Sequence, residues 1–190
     1  MTPQRFGYND TERRKWQNPE LILKQLGLKA GCTFIDVGCG EGFFALPAAE
    51  VVGPNGKVFA LDINETAIDT LKREATKRKL PNLTPVRGKA EETILCKSCA
   101  DFIFFSIVLH DFDDPRLVLA NAREMMKSTS SLVDLDWKKE PLNFGPPLEI
   151  KFSEMEAKKL IESEGFRVVK TEPLEPYNYV IVARLQTIHA

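Results

Sequence analysis

The run Thr33-Phe34-Ile35-Asp36-Val37-Gly38-Cys39-Gly40-Glu41-Gly42 constrains this chain more than any other segment. An apolar stretch with one acid runs into three alternating glycines and then into Phe43-Phe44-Ala45-Leu46, the pattern of a strand turning sharply into a helix. Without a Cβ, glycine takes positive φ and lets a ligand approach the backbone. The helix that follows offers unpaired N–H groups to an electronegative ligand. The segment therefore reads as a cofactor loop, and its glycine spacing differs from the G-x-G-x-x-G of dinucleotide-binding turns.

A second acid supports this reading. Lys57-Val58-Phe59-Ala60-Leu61 follows the turn Gly53-Pro54-Asn55-Gly56 and ends in Asp62, about 20 residues beyond the glycine loop, where a carboxylate can accept hydrogen bonds from ribose hydroxyls. Strand and helix signals then alternate. Asn64 can cap a helix carrying Ala67, Ile68, Leu71 and Ala75 on one face; Leu83 to Arg87 is a third strand and Ala100 to Leu109 a fourth. Asp114-Pro115 opens another helix, and Ser131 to Trp137 reads as the fifth strand. Parallel strands need crossover helices, so this rhythm implies an α/β fold with helices on both faces of the sheet. Asp134 in a central parallel strand calls for a basic partner.

Towards the C-terminus, Ser153-Glu154-Met155-Glu156 is a capping box opening a helix that Gly165 closes. Arg167 to Thr171 and Tyr177 to Leu185 are then separated only by Glu172-Pro173-Leu174-Glu175-Pro176, too short for a crossover, so they form an antiparallel hairpin. Near the N-terminus, Asn18-Pro19-Glu20 caps a short helix that Gly27 stops. The expected organisation is an N-terminal arm over 1–17 and one domain over 18–190. The arm suits a tethered terminus in preference to a segment folding over a ligand.

Composition narrows the function. Lys plus Arg number 26 against 27 Asp plus Glu, with no long block of one sign, so a nucleic-acid partner is not expected. No apolar run spans a bilayer and Met1-Thr2-Pro3-Gln4-Arg5 lacks the core of a signal peptide, which gives a cytosolic expectation. Cys96-Lys97-Ser98-Cys99 lacks the further ligands of a zinc site and precedes a strand instead of opening a helix. It is read as two ordinary loop thiols.

Taken together, Asp36 to Gly42, Gly56 to Asp62, Gly88-Lys89-Ala90-Glu91-Glu92 and Ser106-Ile107-Val108-Leu109-His110-Asp111-Phe112 resemble the class I S-adenosylmethionine-dependent methyltransferases. Within that class the chain is similar to the ubiquinone and menaquinone C-methyltransferases and related small-molecule enzymes. The resemblance implies a Rossmann-like, doubly wound sheet of seven strands, mostly parallel with a C-terminal antiparallel hairpin, and S-adenosyl-L-methionine as cofactor. Gly38, Cys39 and Gly40 would line its methionine and ribose portion, with Asp36 orienting the loop or the ammonium. Asp62 and Ile63 would stand at the ribose, Ala90 and Glu91 at the adenine, and Ser106 at the end of the fourth strand. Lys89 stands where many relatives carry Asp. The quinone enzymes are longer, with added segments over the acceptor, which argues against a quinone here.

Methyl transfer from a sulfonium is an in-line displacement, for which positioning matters more than any one side chain. Where the acceptor must lose a proton, His110 has the best intrinsic pKa and Asp111 is second. Asp111, Asp113 and Asp136 have a weak cation-site spacing, and no metal is expected, because Asp113 and Asp114 suit the N-cap region before Pro115. The Asn/Asp-Pro-Pro-aromatic signature of nucleobase amino-methyltransferases is absent after the fourth strand. The expected activity is methyl transfer to a small-molecule acceptor at oxygen, carbon or another soft nucleophile. A nicotinamide-dependent oxidoreductase, a non-catalytic S-adenosylmethionine-binding subunit and an RNA or protein methyltransferase are the alternatives.

Overall fold

A computed structural model describes residues 10–186; the part of the arm before Asp10 lies outside them. Helices α1 (Asp10–Arg13) and α2 (Pro19–Gln25) precede β1 (Thr33–Val37), α3 (Ala45–Val52), β2 (Lys57–Asp62), α4 (Glu65–Lys77) and β3 (Leu83–Arg87). Then come β4 (Ala100–Ser106), α5 (Pro115–Met125), β5 (Met126–Trp137), α6 (Glu154–Ser163), β6 (Phe166–Leu174) and β7 (Asn178–Leu185), with single 3₁₀ turns at Ala90–Glu92 and Leu109–Asp111. One seven-stranded sheet has the order β3-β2-β1-β4-β5-β7-β6. Pairings from β3 to β5 are parallel, and β7 runs antiparallel to both β5 and β6, as the short β6–β7 connection requires.

The caps act as their residue types dictate. Asn18 and Asn64 accept from the backbone N–H three residues on, Asp114 accepts from Arg116 and Leu117, and Ser153 with Glu156 forms the reciprocal capping box. Neighbouring strand residues divide two cores between them. Phe34, Phe104 and Val133 pack with Phe44 and Leu71 on one face; Ile35, Phe105 and Leu132 pack with Leu119 and Ile161 on the other. Each fully buried side chain of this size stabilises the fold by about 1.5–3 kcal/mol. The outer strands are unlike the inner ones: β3 carries Pro85, and β6 carries Pro173 and a register shift between Val168 and Lys170.

Four details differ from the sequence expectations. Strand β4 ends at Ser106 and does not run on to Leu109, because Ile107 turns the chain at φ 52° into the 3₁₀ turn Leu109–Asp111. Strand β5 begins at Met126, directly after α5, with a register shift against β4 between Ala100 and Phe102; Ser130 Oγ donates to the Ala100 carbonyl across it. Asp134 has no basic partner: it is fully buried, neither carboxyl oxygen has a hydrogen-bond partner among the described residues, and burial, with the Asp136 charge adding, drives its pKa far up. It is held as the neutral acid, which removes the need for a counter-charge. Cys96 and Cys99 are joined as a disulfide, not left as separate thiols. The loop turns back at Ser98, φ 47°, where Ser98 and Cys99 N–H donate to the Glu124 and Met125 carbonyls, and the two Cα atoms come within 6.0 Å.

Candidate active site

The carboxyl ends of β1, β2 and β4 form the first half of the site. Gly38 and Gly40 have φ of 74° and 54°. A Cβ on Gly38 would lie 2.5 Å from Val108 Cγ2, so this position must be glycine for packing as well as for the turn. Nothing lies within 4 Å of a Cβ placed on Gly40, which leaves the outer surface of the loop open to a ligand. Asp62 accepts from the Gly40 N–H at 2.7 Å and the Asn64 N–H at 2.8 Å. One carboxylate thus clamps the glycine loop and the start of α4 together. A carboxylate has about four lone-pair sites, so two remain for ribose hydroxyls.

Around this clamp, Ile63 is 52% exposed and offers an apolar surface beside Asp62. Asn121 Nδ2 donates to the carbonyls of Ala90 and Glu91 at 2.9 and 2.8 Å and fixes the turn that sequence reasoning assigned to the adenine. Cys39 is buried, and burial above all pushes its thiol well up, making it a neutral wall of the loop. Lys89 faces Glu92 at 3.9 Å. An open glycine cradle, a carboxylate with two lone-pair sites left and an apolar neighbour fit S-adenosylmethionine.

Asp36 is buried beneath the loop. Burial pushes its carboxyl pKa up to about 7; the Arg13 charge opposes the rise, the Asp62 charge adds to it and the Ala45 N–H opposes it. Arg13 comes from the N-terminal arm. Its Nη2 donates to Ser106 Oγ at 2.7 Å, its Nε to Gln17 Oε1 at 2.7 Å, and its guanidinium lies 4.1 Å from the Phe43 ring centre. The described part of the arm therefore lies against the carboxyl ends of the sheet.

The second half of the site is built at β4 and β5. Ile107, the residue after β4, has φ 52°, an unfavourable conformation for a β-branched side chain, and its N–H donates to the Leu135 carbonyl at 2.7 Å. This strained turn leads into Leu109–Asp111. His110, whose side chain is 1% exposed, places Nδ1 2.8 Å from Asp136 Oδ2 and Nε2 3.4 Å from Asp111 Oδ1. Asp136 Oδ1 accepts from the Trp137 N–H at 2.7 Å. Burial disfavours the charged imidazolium, but the Asp136 charge and hydrogen bond, helped by Asp111, outweigh it and raise the His110 pKa, with Lys151 opposing. Asp111 is more open, with 35% of its side chain exposed, and burial raises its pKa against the His110 charge.

The 138–152 connection reaches this cluster electrostatically through Lys151. Lys151 is buried, donates from Nζ to the Glu140 carbonyl at 3.0 Å and stands 5.6 Å from the Trp137 ring centre; burial lowers its pKa. Trp16 packs on Trp137, Phe144 and Tyr177 with ring centres 5.2, 6.3 and 5.7 Å away, which ties the arm to the connection. A cavity of about 340 Å³ opens within the connection between Pro141 and Lys151. Sequence reasoning placed Asp36, Asp62, the glycines and His110 at one end of the sheet, where the structure also has them. It missed Arg13, Gln17, Asn121 and Lys151, and it weighed Asp136 only as a cation ligand. No group of three or more His, Cys, Asp or Glu among the described residues is arranged to hold a metal, and no helix among them is long and apolar enough to cross a membrane.

Comparison with known proteins agrees with this geometry. A family model described as a methyltransferase domain matches residues 28–169. The crystal structure of a SAM-dependent methyltransferase from Aquifex aeolicus superposes with a TM-score of 0.86 at 30% identity, covering 94% of this chain and 99% of that one. A demethylmenaquinone methyltransferase of Geobacillus kaustophilus is 27% identical over 131 residues, 69% of this chain and 55% of the relative. A Pyrobaculum calidifontis protein assigned to cobalt-precorrin-6B C(15) methylation is 37% identical over 85 residues, 44% of each. The chain thus spans about half the length of the curated relatives it matches. Family match, sheet order and the clamped glycine loop agree, and the chain belongs to the class I S-adenosylmethionine-dependent methyltransferases.

Proposed function

We propose that this protein is a cytosolic enzyme that transfers the methyl group of S-adenosylmethionine to a small-molecule acceptor at oxygen, carbon or another soft nucleophile. The observation that carries the reading is the adjacency of two constellations at one end of the sheet. The Asp62-clamped glycine loop opens towards the turn after β4, where Val108 touches the Gly38 position and His110 and Asp111 follow. The relatives that act on demethylmenaquinone and on cobalt-precorrin-6B favour a small acceptor without choosing one.

When bound, S-adenosylmethionine supplies an electrophilic methyl on a sulfonium. Asp62 holds the ribose hydroxyls, the turn at Ala90 and Glu91 receives the adenine, and Gly38 and Gly40 let the ligand lie against the backbone. The acceptor enters beneath the 138–152 connection, where Trp137 and Phe144 supply apolar wall. Holding donor and acceptor in line accounts for most of the acceleration. His110 lies between two carboxylates, and the Asp136 charge and hydrogen bond, helped by Asp111, raise its pKa. Asp111 is the more exposed of the two groups and takes the proton of an acceptor that must be deprotonated, while His110, buried against Asp136, holds it in place.

Purified protein incubated with methyl-labelled S-adenosylmethionine and a fractionated cell extract tests the reading. Label should appear in small metabolites. Label confined to RNA or protein would overturn the acceptor class, and absence of S-adenosylmethionine binding by calorimetry would overturn the cofactor.

A further inference from the structure

Arg13 belongs to a helix of only four residues, none of them buried, so helix packing does not account for where its side chain lies. The guanidinium nevertheless reaches Ser106 at the end of β4, stacks over Phe43 at the start of the helix after the glycine loop, and acts electrostatically on Asp36. Gln17 is fully buried beside it. Its Oε1 accepts from Arg13 Nε, and its Nε2 has no hydrogen-bond partner among the described residues. An unpaired buried amide donor is unfavourable and calls for an acceptor.

A cation and a buried amide donor thus stand near the start of the helix after the glycine loop, with the cation within electrostatic reach of the acid beneath that loop. That pairing matches a zwitterion, with an ammonium towards Asp36 and a carboxylate towards Arg13 and Gln17. Guanidinium suits the second task because its planar fork meets a carboxylate with two parallel N–H donors. The stack on Phe43 and the bond to Gln17 hold the fork before any ligand arrives. We propose that Arg13, supported by Gln17, binds the α-carboxylate of the amino-acid end of the cofactor, making the N-terminal arm part of the cofactor site. The inference rests on the S-adenosylmethionine reading above.

Calorimetry with three ligands separates the two. S-adenosylhomocysteine has both ends of the zwitterion, its decarboxylated analogue keeps the ammonium alone, and 5′-methylthioadenosine has neither. The unaltered protein should bind S-adenosylhomocysteine at least roughly tenfold more tightly than the decarboxylated analogue, the effect of one or two charge-assisted hydrogen bonds. Arg13→Ala should remove that preference by weakening S-adenosylhomocysteine alone, roughly 10–100-fold. Arg13→Lys, which keeps the charge and the contact with Phe43 but loses the fork, should recover part of it.

An Arg13→Ala variant that still prefers the carboxylated ligand overturns the proposal. So does an equal loss for all three ligands, which would make Arg13 a latch for the arm. If the unaltered protein binds S-adenosylhomocysteine and its decarboxylated analogue equally, the proposal fails and the cofactor reading stands; if it binds none of the three, both fail.

Discussion

The two halves of the site are positioned by different means. On the β1–β2 side, backbone does most of the work: two glycines at positive φ shape the loop, and Asp62 ties it to the adjoining turn through main-chain N–H groups. On the β4–β5 side, side chains from distant segments do it. His110 is held by Asp136 from the next strand, Lys151 enters from a connection, and Trp16 arrives from the arm to pack on Trp137. In the proposed reading the backbone-built half takes the cofactor. A side-chain-built half can be exchanged for another acceptor without disturbing the first.

The largest expected effect tests the side-chain half. Asp111→Asn keeps the shape and removes the proposed base, so kcat should fall by roughly 10²–10⁴ for an acceptor that must lose a proton, with cofactor affinity unchanged. A variant with normal kcat would leave only positioning in this half, whereas one that loses cofactor binding would merge the two halves into one site.

Next, Asp62→Ala removes the proposed ribose acceptor and unclamps Gly40. Charge-assisted hydrogen bonds of this kind imply a loss of S-adenosylmethionine affinity of roughly 10–100-fold, read by calorimetry on protein whose melting shows it folded. An unchanged affinity would show that the backbone loop suffices without its clamp.

The smallest effect is a pH dependence. With its pKa near 7, Asp36 is largely protonated in the ligand-free protein on the acid side of neutrality. An ammonium placed beside it would lower that pKa, so binding releases a proton and weakens as pH falls. Between about pH 8 and about pH 6.5 the affinity for S-adenosylhomocysteine should fall roughly fourfold, and Asp36→Asn should flatten the profile. A profile that persists in that variant would move the titrating group to the other half.

Legibility in the sequence followed the same division. The strands, the caps at Asn64 and Ser153, the hairpin and Asp62 declare themselves through local periodicity or fixed spacing, because each depends on residues close in the chain. The bond from Arg13 to Ser106 joins residues 93 positions apart, and the one from His110 to Asp136 joins residues 26 apart. No local pattern encodes such a pairing. Asp134 was misread for a related reason: an acid in a strand suggests a charge needing a partner, while complete burial keeps it neutral. The Cys96–Cys99 bond depends on the path of the loop against the end of α5, which spacing alone does not reveal.

The prolines in β3 and β6 bear on how these molecules meet each other. An open sheet ends in two rows of unsatisfied main-chain groups, and such rows recruit strands from neighbouring chains. Pro85 removes a donor from one row. On the other side, Pro173 does the same while the register shift beyond Val168 bends the margin and Arg167, Lys170 and Glu172 charge it. Each proline thus leaves a gap in the row of donors that a strand from a neighbouring chain would need, and lateral growth into a continuous intermolecular sheet is disfavoured at both margins.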